Sequence, residues 1–178
     1  MENKVKLYHI DRKNVLREGM EIQLLPHPQH RIDVSKFDSK LDSFVQTLFS
    51  KGISLHGDRY LRNSIKTGGK DIYIESIFET IRACFYPDRL SRFQSFFAFN
   101  HEGVHQFIEK NKLKPDSFSV YEVSCDHFEK YDMELLRGES HAPVSYFAHQ
   151  YWQGEVYENP HFEYLLRLPV EIGKKSKL

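Results

Sequence analysis

The chain has 178 residues, enough to fill one core of ordinary size, and two domains would be cramped in it. Its 25 Lys and Arg balance 25 Asp and Glu, which excludes an overall positive field able to hold a polyanion without specificity and leaves at most a local basic groove. Apolar residues at 40%, charged residues at 28% and aromatic residues at 14% exclude a disordered or low-complexity chain.

The opening residues lack the apolar segment of a signal peptide, and no run of about 18 apolar residues occurs, so a cytoplasmic protein without a membrane span is expected. Lys4 to Ile10 alternates and predicts a first strand, followed by an Asp-Arg-Lys-Asn turn. Residues 15 to 34 read as a loop over a surface or cleft, because Gly19, Pro26 and Pro28 break any period and His27, His30 and Arg31 cluster there. From Ser35 as N-cap to Gly52 as stop, Phe37, Leu41, Phe44, Val45, Leu48 and Phe49 recur at helical spacing and predict an amphipathic helix. Residues 52 to 70 read as an exposed connector, where Lys51, Arg59, Arg62, Lys66 and Lys70 concentrate positive charge. A second helix is predicted from Asp71 as cap, with Ile74, Ile77, Phe78, Ile81 and Phe85 on one face and Pro87 as its end.

Ser95 to Phe99 is a short apolar run and predicts a buried central strand, and a helix capped by Asn100 then runs to about Leu113 before the Pro115-Asp116 turn. Phe118 to Val123 alternates as a strand, helices are predicted around Met133 to Arg137 and Val144 to Trp152, and Phe162 to Ile172 reads as a long strand interrupted at Pro169. Neither an internal repeat nor a long linker occurs, so residues 1–178 read as a single α+β domain.

His101-Glu102-Gly103-Val104-His105 is the spacing that on a helix sets two imidazoles one turn apart beside a carboxylate, the arrangement of zinc hydrolases. Here it occupies the first turn after a strand, where the positive end of the helix dipole disfavours a cation, and the candidate third ligands Glu122 and His127 follow no helix-borne spacing. A solvated helix start accounts for the motif without metal, and a zinc-dependent hydrolase remains as an alternative. Gly52 to Gly57 has phosphate-loop spacing but leads into Asp58-Arg59 instead of Lys-Ser, and no Gly-x-Gly-x-x-Gly occurs. Two cysteines, Cys84 and Cys125, exclude a disulfide-dense scaffold, and Cys125 near His127 reads as structural. Trp152, with Tyr151 and His149 nearby, reads as core packing before a stacking surface.

Three separated segments carry a resemblance. Leu7-Tyr8-His9-Ile10, Arg92 to Phe99 and Asn159 to Leu166 resemble, in that order, the His, aromatic-or-Ser, Glu signature of NAD-dependent ADP-ribosyltransferases. The ending Glu163-Tyr-Leu-Leu-Arg-Leu-Pro-Val is similar to that of the DNA-modifying ADP-ribosyltransferase toxins, and Leu7 to Gly19 with Val120 to Val123 is similar to the small rifamycin-modifying transferases. The resemblance implies two small packed mixed sheets with flanking helices, NAD as substrate in the cleft between them, and transfer of ADP-ribose to an unidentified acceptor with release of nicotinamide. It implies Glu163 as the carboxylate facing the oxocarbenium-like ribose, His9 on the other ribose, Tyr8 or Phe97 flanking a ring of the dinucleotide, Ser95 supporting Glu163 and Arg92 on the pyrophosphate. A non-catalytic nucleotide-binding module is the remaining alternative. Asp11 stands where the family carries a small or hydroxyl residue, which would bring a second carboxylate towards the diphosphate unless it points away.

Overall fold

In the computed structural model, residues 6–26, 38–62 and 65–178 are described, and over them the chain is α+β, with two antiparallel sheets and five helices. The first sheet has the order β1 (Leu7–Asp11), β4 (Ser119–Ser124), β7 (Val170–Ser176), β2 (Glu21–Ile22), and the second the order β3 (Ser95–Ala98), β6 (Phe162–Arg167), β5 (Phe128–Asp132). Every neighbouring pair runs antiparallel, so the sheets are not the mixed ones expected, and their ladders consist of bonds perpendicular to the strands. The long C-terminal strand is in fact two: Pro169, which cannot donate to a ladder, lies between β6 in one sheet and β7 in the other. Tyr8 and Phe99 exchange two backbone hydrogen bonds of 2.8 Å, which stitch β1 of the first sheet to the end of β3 in the second.

Period-two alternation then distributes the core. Ala98, Tyr164 and Leu166 of the second sheet meet Leu7, Tyr121, Val170 and Ile172 of the first in an apolar layer shared by both sheets. Leu165 and Tyr131 point to the other face of the second sheet, against α3 (Ile65–Phe85) and α5 (His141–Gln153), where Phe78, Val144, Ala148, Tyr151 and Trp152 are fully buried. Trp152 is core, as its sequence context implied, and its indole Nε1 donates to the Phe78 carbonyl at 2.9 Å. Helix α4 (His101–Lys110) covers the remaining face of β1 and β4 with Val104, and Asn100 caps it by accepting from the Gly103 amide at 2.8 Å.

Several expectations are corrected. The first helix, α1, spans Asp38–Leu48, and the predicted cap Ser35 and Phe37 lie outside the described residues, as do His27, Pro28, His30 and Arg31 of the expected loop. Only Val45 of its described apolar positions is buried by the rest of the fold, whereas Phe44 and Leu48 are 57% and 56% exposed. The connector holds a helix, α2 (Leu55–Arg62), because Gly57 lets it approach the Phe93 backbone so closely that a Cβ there would stand 2.1 Å from the Phe93 carbonyl oxygen. Helix α3 begins before Asp71 and is broken at Gly69, whose φ of 52° only glycine adopts without strain. Strand β5 hides in Phe-Glu-Lys-Tyr-Asp, too charged to read as a strand, and the helix expected around Met133 is a single 3-10 turn, Met133–Leu135.

Candidate functional site

The three segments that carry the family resemblance lie on three adjacent strands: β1 meets β3 through the Tyr8–Phe99 bridge, and β3 pairs with β6 along its whole length. Strand alternation decides which way each side chain faces. Glu163 shares a face with Leu165 and, through the β5 register, with Tyr131, and it points towards α3 and α5. His9 shares the opposite, inter-sheet face with Leu7, and its ring lies 4.3 Å from that of Phe96. Phe97 stands between them: its carbonyl accepts from His9 Nδ1 at 2.7 Å, and its ring is on the Glu163 side. That bond fixes the tautomer of His9, while burial, only partly countered by the Phe97 carbonyl and the Asp11 charge, lowers its pKa and favours the neutral imidazole.

On the Glu163 side one guanidinium serves two carboxylates. Arg92 Nε and Nη2 donate to both oxygens of Glu75 at 2.8 Å each, and Nη1 donates to Tyr151 Oη at 2.7 Å and to Glu163 Oε1 at 2.5 Å. Tyr151 Oη in turn donates to the same Glu163 Oε1 at 2.9 Å, so both hydrogen bonds of this carboxylate fall on one oxygen. All four side chains are buried, Glu163 at 3% exposure. Burial pushes the Glu75 carboxyl up, but the charge and hydrogen bonds of Arg92, with the His56 imidazole, outweigh it and hold the group below the ordinary carboxylate range. Burial, reinforced by the neighbouring carboxylates, keeps the Tyr151 phenol well above its usual value, and the two carboxylates keep Arg92 charged despite its burial. Two carboxylates against one guanidinium leave a formal excess of one negative charge in a buried site.

Aromatic rings pack around this cluster. The Arg92 guanidinium lies over Phe97 at 4.9 Å and over Tyr151 at 5.4 Å, and Tyr151 stacks on Tyr131 at 4.4 Å. His56 also lies 4.3 Å from Phe97 and 4.5 Å from Tyr60, centroid to centroid; His56 and Tyr60 both come from α2. His56, Tyr60 and Phe97 are half-buried and form the partly open side of the cluster. His56, Tyr60 and Glu75 were not among the sequence candidates, and Tyr151 was read there as core packing beside Trp152. The available signal was Glu75 itself, a carboxylate set among Ile72, Ile74, Ile77 and Phe78 of a core-facing helix.

Tyr8, Ser95, Asp11 and the His101 to His105 motif stand apart from this cluster, and Arg92 within it has a different role from the one expected. Tyr8 packs under α4 with Ile10, Phe99 and Val104, on the face of β1 opposite His9. Ser95 is buried and donates to the Ser91 carbonyl at 2.7 Å, not to Glu163. Arg92 spends its donors on Glu75, Glu163 and Tyr151 and presents no free fork to a pyrophosphate. Asp11 points into its own turn, accepting from the Lys13 and Leu16 amides at 3.0 and 2.8 Å. The rings of His101 and His105 are 4.9 Å apart on α4, and among the described residues no three His, Cys, Asp or Glu side chains converge as ligands. Two cavities open elsewhere: one of about 740 Å³ beside Asn14, His105 and Lys175, and one of about 400 Å³ beside Glu102, Glu134 and His161. No helix among the described residues is long and apolar enough to cross a membrane. Compared with known families, residues 7–177 match the model described as a protein of unknown function (DUF2441). No curated protein matches the chain.

Proposed function

We propose that this chain, which belongs to the DUF2441 family, binds NAD as substrate and transfers its ADP-ribose to an acceptor, with release of nicotinamide. The observation that carries the reading is the assembly of three short segments, distant in sequence, on the adjacent strands β1, β3 and β6, with Phe97 and Glu163 on one face. Nicotinamide in NAD is a planar cation, and cleavage of its glycosidic bond passes positive charge to the ribose. Stabilising that charge needs a preorganised negative group from which water is excluded. The excess negative charge of Glu75, Glu163 and Arg92 beneath the Phe97 ring meets that need.

In this reading the bond from ribose C1′ to the ring nitrogen breaks, the nitrogen keeps the electron pair and leaves as neutral nicotinamide, and an acceptor lone pair bonds to C1′. Glu163, whose Oε2 carries none of its hydrogen bonds among the described residues, grips the ribose and takes the acceptor's proton. Arg92 orients Glu163, a role that replaces the pyrophosphate contact the resemblance implied. His9 acts from behind the strand, holding the Phe97 main chain through its 2.7 Å bond.

Nicotinamide release from labelled NAD is the test. Glu163→Gln keeps the shape and removes the charge, and a loss of about 10²-fold or more is expected; release undiminished in that variant refutes the assignment. A second reading, a nucleotide-binding module without turnover, is favoured by the burial of Glu163 and its existing bonds to Arg92 and Tyr151. Calorimetric NAD binding without nicotinamide release would establish it in place of the first.

A further inference from the structure

The cavity of about 400 Å³ lies between one side of α4, the 3-10 turn Met133–Leu135 and the residues that lead into β6. A space of that size suits a small molecule of a single ring. Its walls are fixed in advance. Asp132 accepts from the amides of Glu134, Tyr157 and His161 at 3.0, 2.8 and 2.9 Å, which ties the segment before β6 to the 3-10 turn. Gly103 lets α4 approach β6 until a Cβ there would stand 3.3 Å from the Phe162 carbonyl oxygen.

His161 is the one buried residue of the lining, at 4% exposure. Its Nε2 lies 3.2 Å from the Gly103 carbonyl oxygen, which can only accept, so Nε2 carries the ring proton and Nδ1 of the neutral imidazole carries a lone pair. That Nδ1 is buried and has no hydrogen-bond partner among the described residues, a costly state for an acceptor. Among the described residues Glu102, Gln106 and Asn159, which line the same cavity, also make no side-chain hydrogen bond. Charge does not define the missing partner. Glu134 is paired with Lys110 and with Arg137, and Glu102 sits in the first turn of α4, where the positive end of the helix dipole balances it. The cavity therefore presents two acceptors, His161 Nδ1 and Glu102, beside two amides that both donate and accept, and the group that complements such a mixture without bringing charge is the hydroxyl.

We infer that this cavity is a binding site for a small neutral ring polyol, a monosaccharide or cyclitol, with one hydroxyl donating to His161 Nδ1 and others meeting Glu102, Gln106 and Asn159. The inference goes beyond the NAD reading and does not rest on it.

The experiment titrates myo-inositol and D-glucose into the full chain, uniformly labelled with nitrogen-15, and follows the imidazole nitrogens by NMR, with thermal unfolding to verify each variant's fold. His161→Phe, which keeps a ring against Phe99 and Phe107, identifies the His161 signals by their loss. At least one probe is expected to bind with a Kd in the millimolar range and to move the Nδ1 signal from the position of a free lone pair to that of a hydrogen-bonded one. Gln106→Ala and Asn159→Ala should each weaken binding about fivefold, and His161→Phe about tenfold. No binding of either probe up to about 100 mM overturns the inference. So does unaltered affinity in both Gln106→Ala and Asn159→Ala, which decide the matter alone if His161→Phe does not fold. An Nδ1 signal that stays in place at saturation overturns it as well, and methylammonium binding more tightly than the polyols would give the cavity to a cation instead.

Discussion

Replacing Arg92 with Met tests the electrostatic heart of the site. Methionine keeps much of the apolar stem but removes both bonds to Glu75 and those to Tyr151 and Glu163, leaving two carboxylates buried together without a counter-charge. Breaking a buried pair from one side costs about 3–5 kcal/mol, because the abandoned charge remains desolvated. At about 2–4 °C per kcal/mol for a chain of this size, the melting temperature should fall by about 10 °C. The pH dependence gives a second, independent reading. Glu75 has its pKa depressed by Arg92 in the fold, so its contribution is present above the unfolded carboxyl range and is lost as pH falls through the folded value. Without Arg92, burial, the largest influence on Glu75, is opposed only by His56, so acid protonates this carboxylate and relieves the variant more readily than the wild type. Urea unfolding of both proteins should therefore show the stability gap shrinking between about pH 7 and about pH 4.5. A gap under about 1 kcal/mol at neutral pH, or one that widens in acid, refutes the claim that Arg92 neutralises a buried carboxylate pair.

Gly57→Ala should lower the melting temperature by about 5 °C or more, since the new methyl group would meet the Phe93 backbone and push α2 away; an unchanged melting curve contradicts that packing. Removing the His9 bond to the Phe97 carbonyl by His9→Ala should cost about 1 kcal/mol at neutral pH. Because the folded imidazole has a lowered pKa, the wild type loses stability at this site as pH falls below about 6.5, and the variant should lack that slope; identical pH profiles would count against a buried neutral His9. Cys84 is exposed, whereas burial raises the Cys125 thiol, which donates to the His127 carbonyl, so limited alkylation near neutral pH read by peptide mass should label Cys84 first. Trp152, the single tryptophan, is fully buried, so its emission should be blue-shifted in the folded protein and move to the red on unfolding.

Local patterns were legible wherever one residue type does one physical job. Asn100 caps α4 because its short side chain reaches the Gly103 amide, and Val144 to Trp152 reads as a helix because small and aromatic residues recur on the face turned to Phe78 and Leu165. Helix α2 escaped notice because Leu-His-Gly-Asp-Arg-Tyr has a glycine where helices disfavour one, and that glycine serves the contact with Phe93 instead of the helix. Phe44 and Leu48 misled in the opposite sense, since a helical stripe states which face is apolar but not whether the fold buries it.

The amino-acid order alone determined the α+β class, most element positions and the sequence in which His9, Phe97 and Glu163 arrive. It could not decide which face of the sheet each would occupy. In Ser-Phe-Phe-Ala-Phe both faces of the strand are apolar and both are covered, so alternation carries no inside and no outside, and only pairing of β3 with β6 and bridging to β1 puts Phe97 beside Glu163 and leaves His9 behind. The union of Arg92 with Glu75 and Glu163 was likewise a tertiary outcome, because a buried guanidinium takes as partners whichever carboxylates the packing brings within reach, and here they come from a helix and a strand 17 and 71 residues away along the chain.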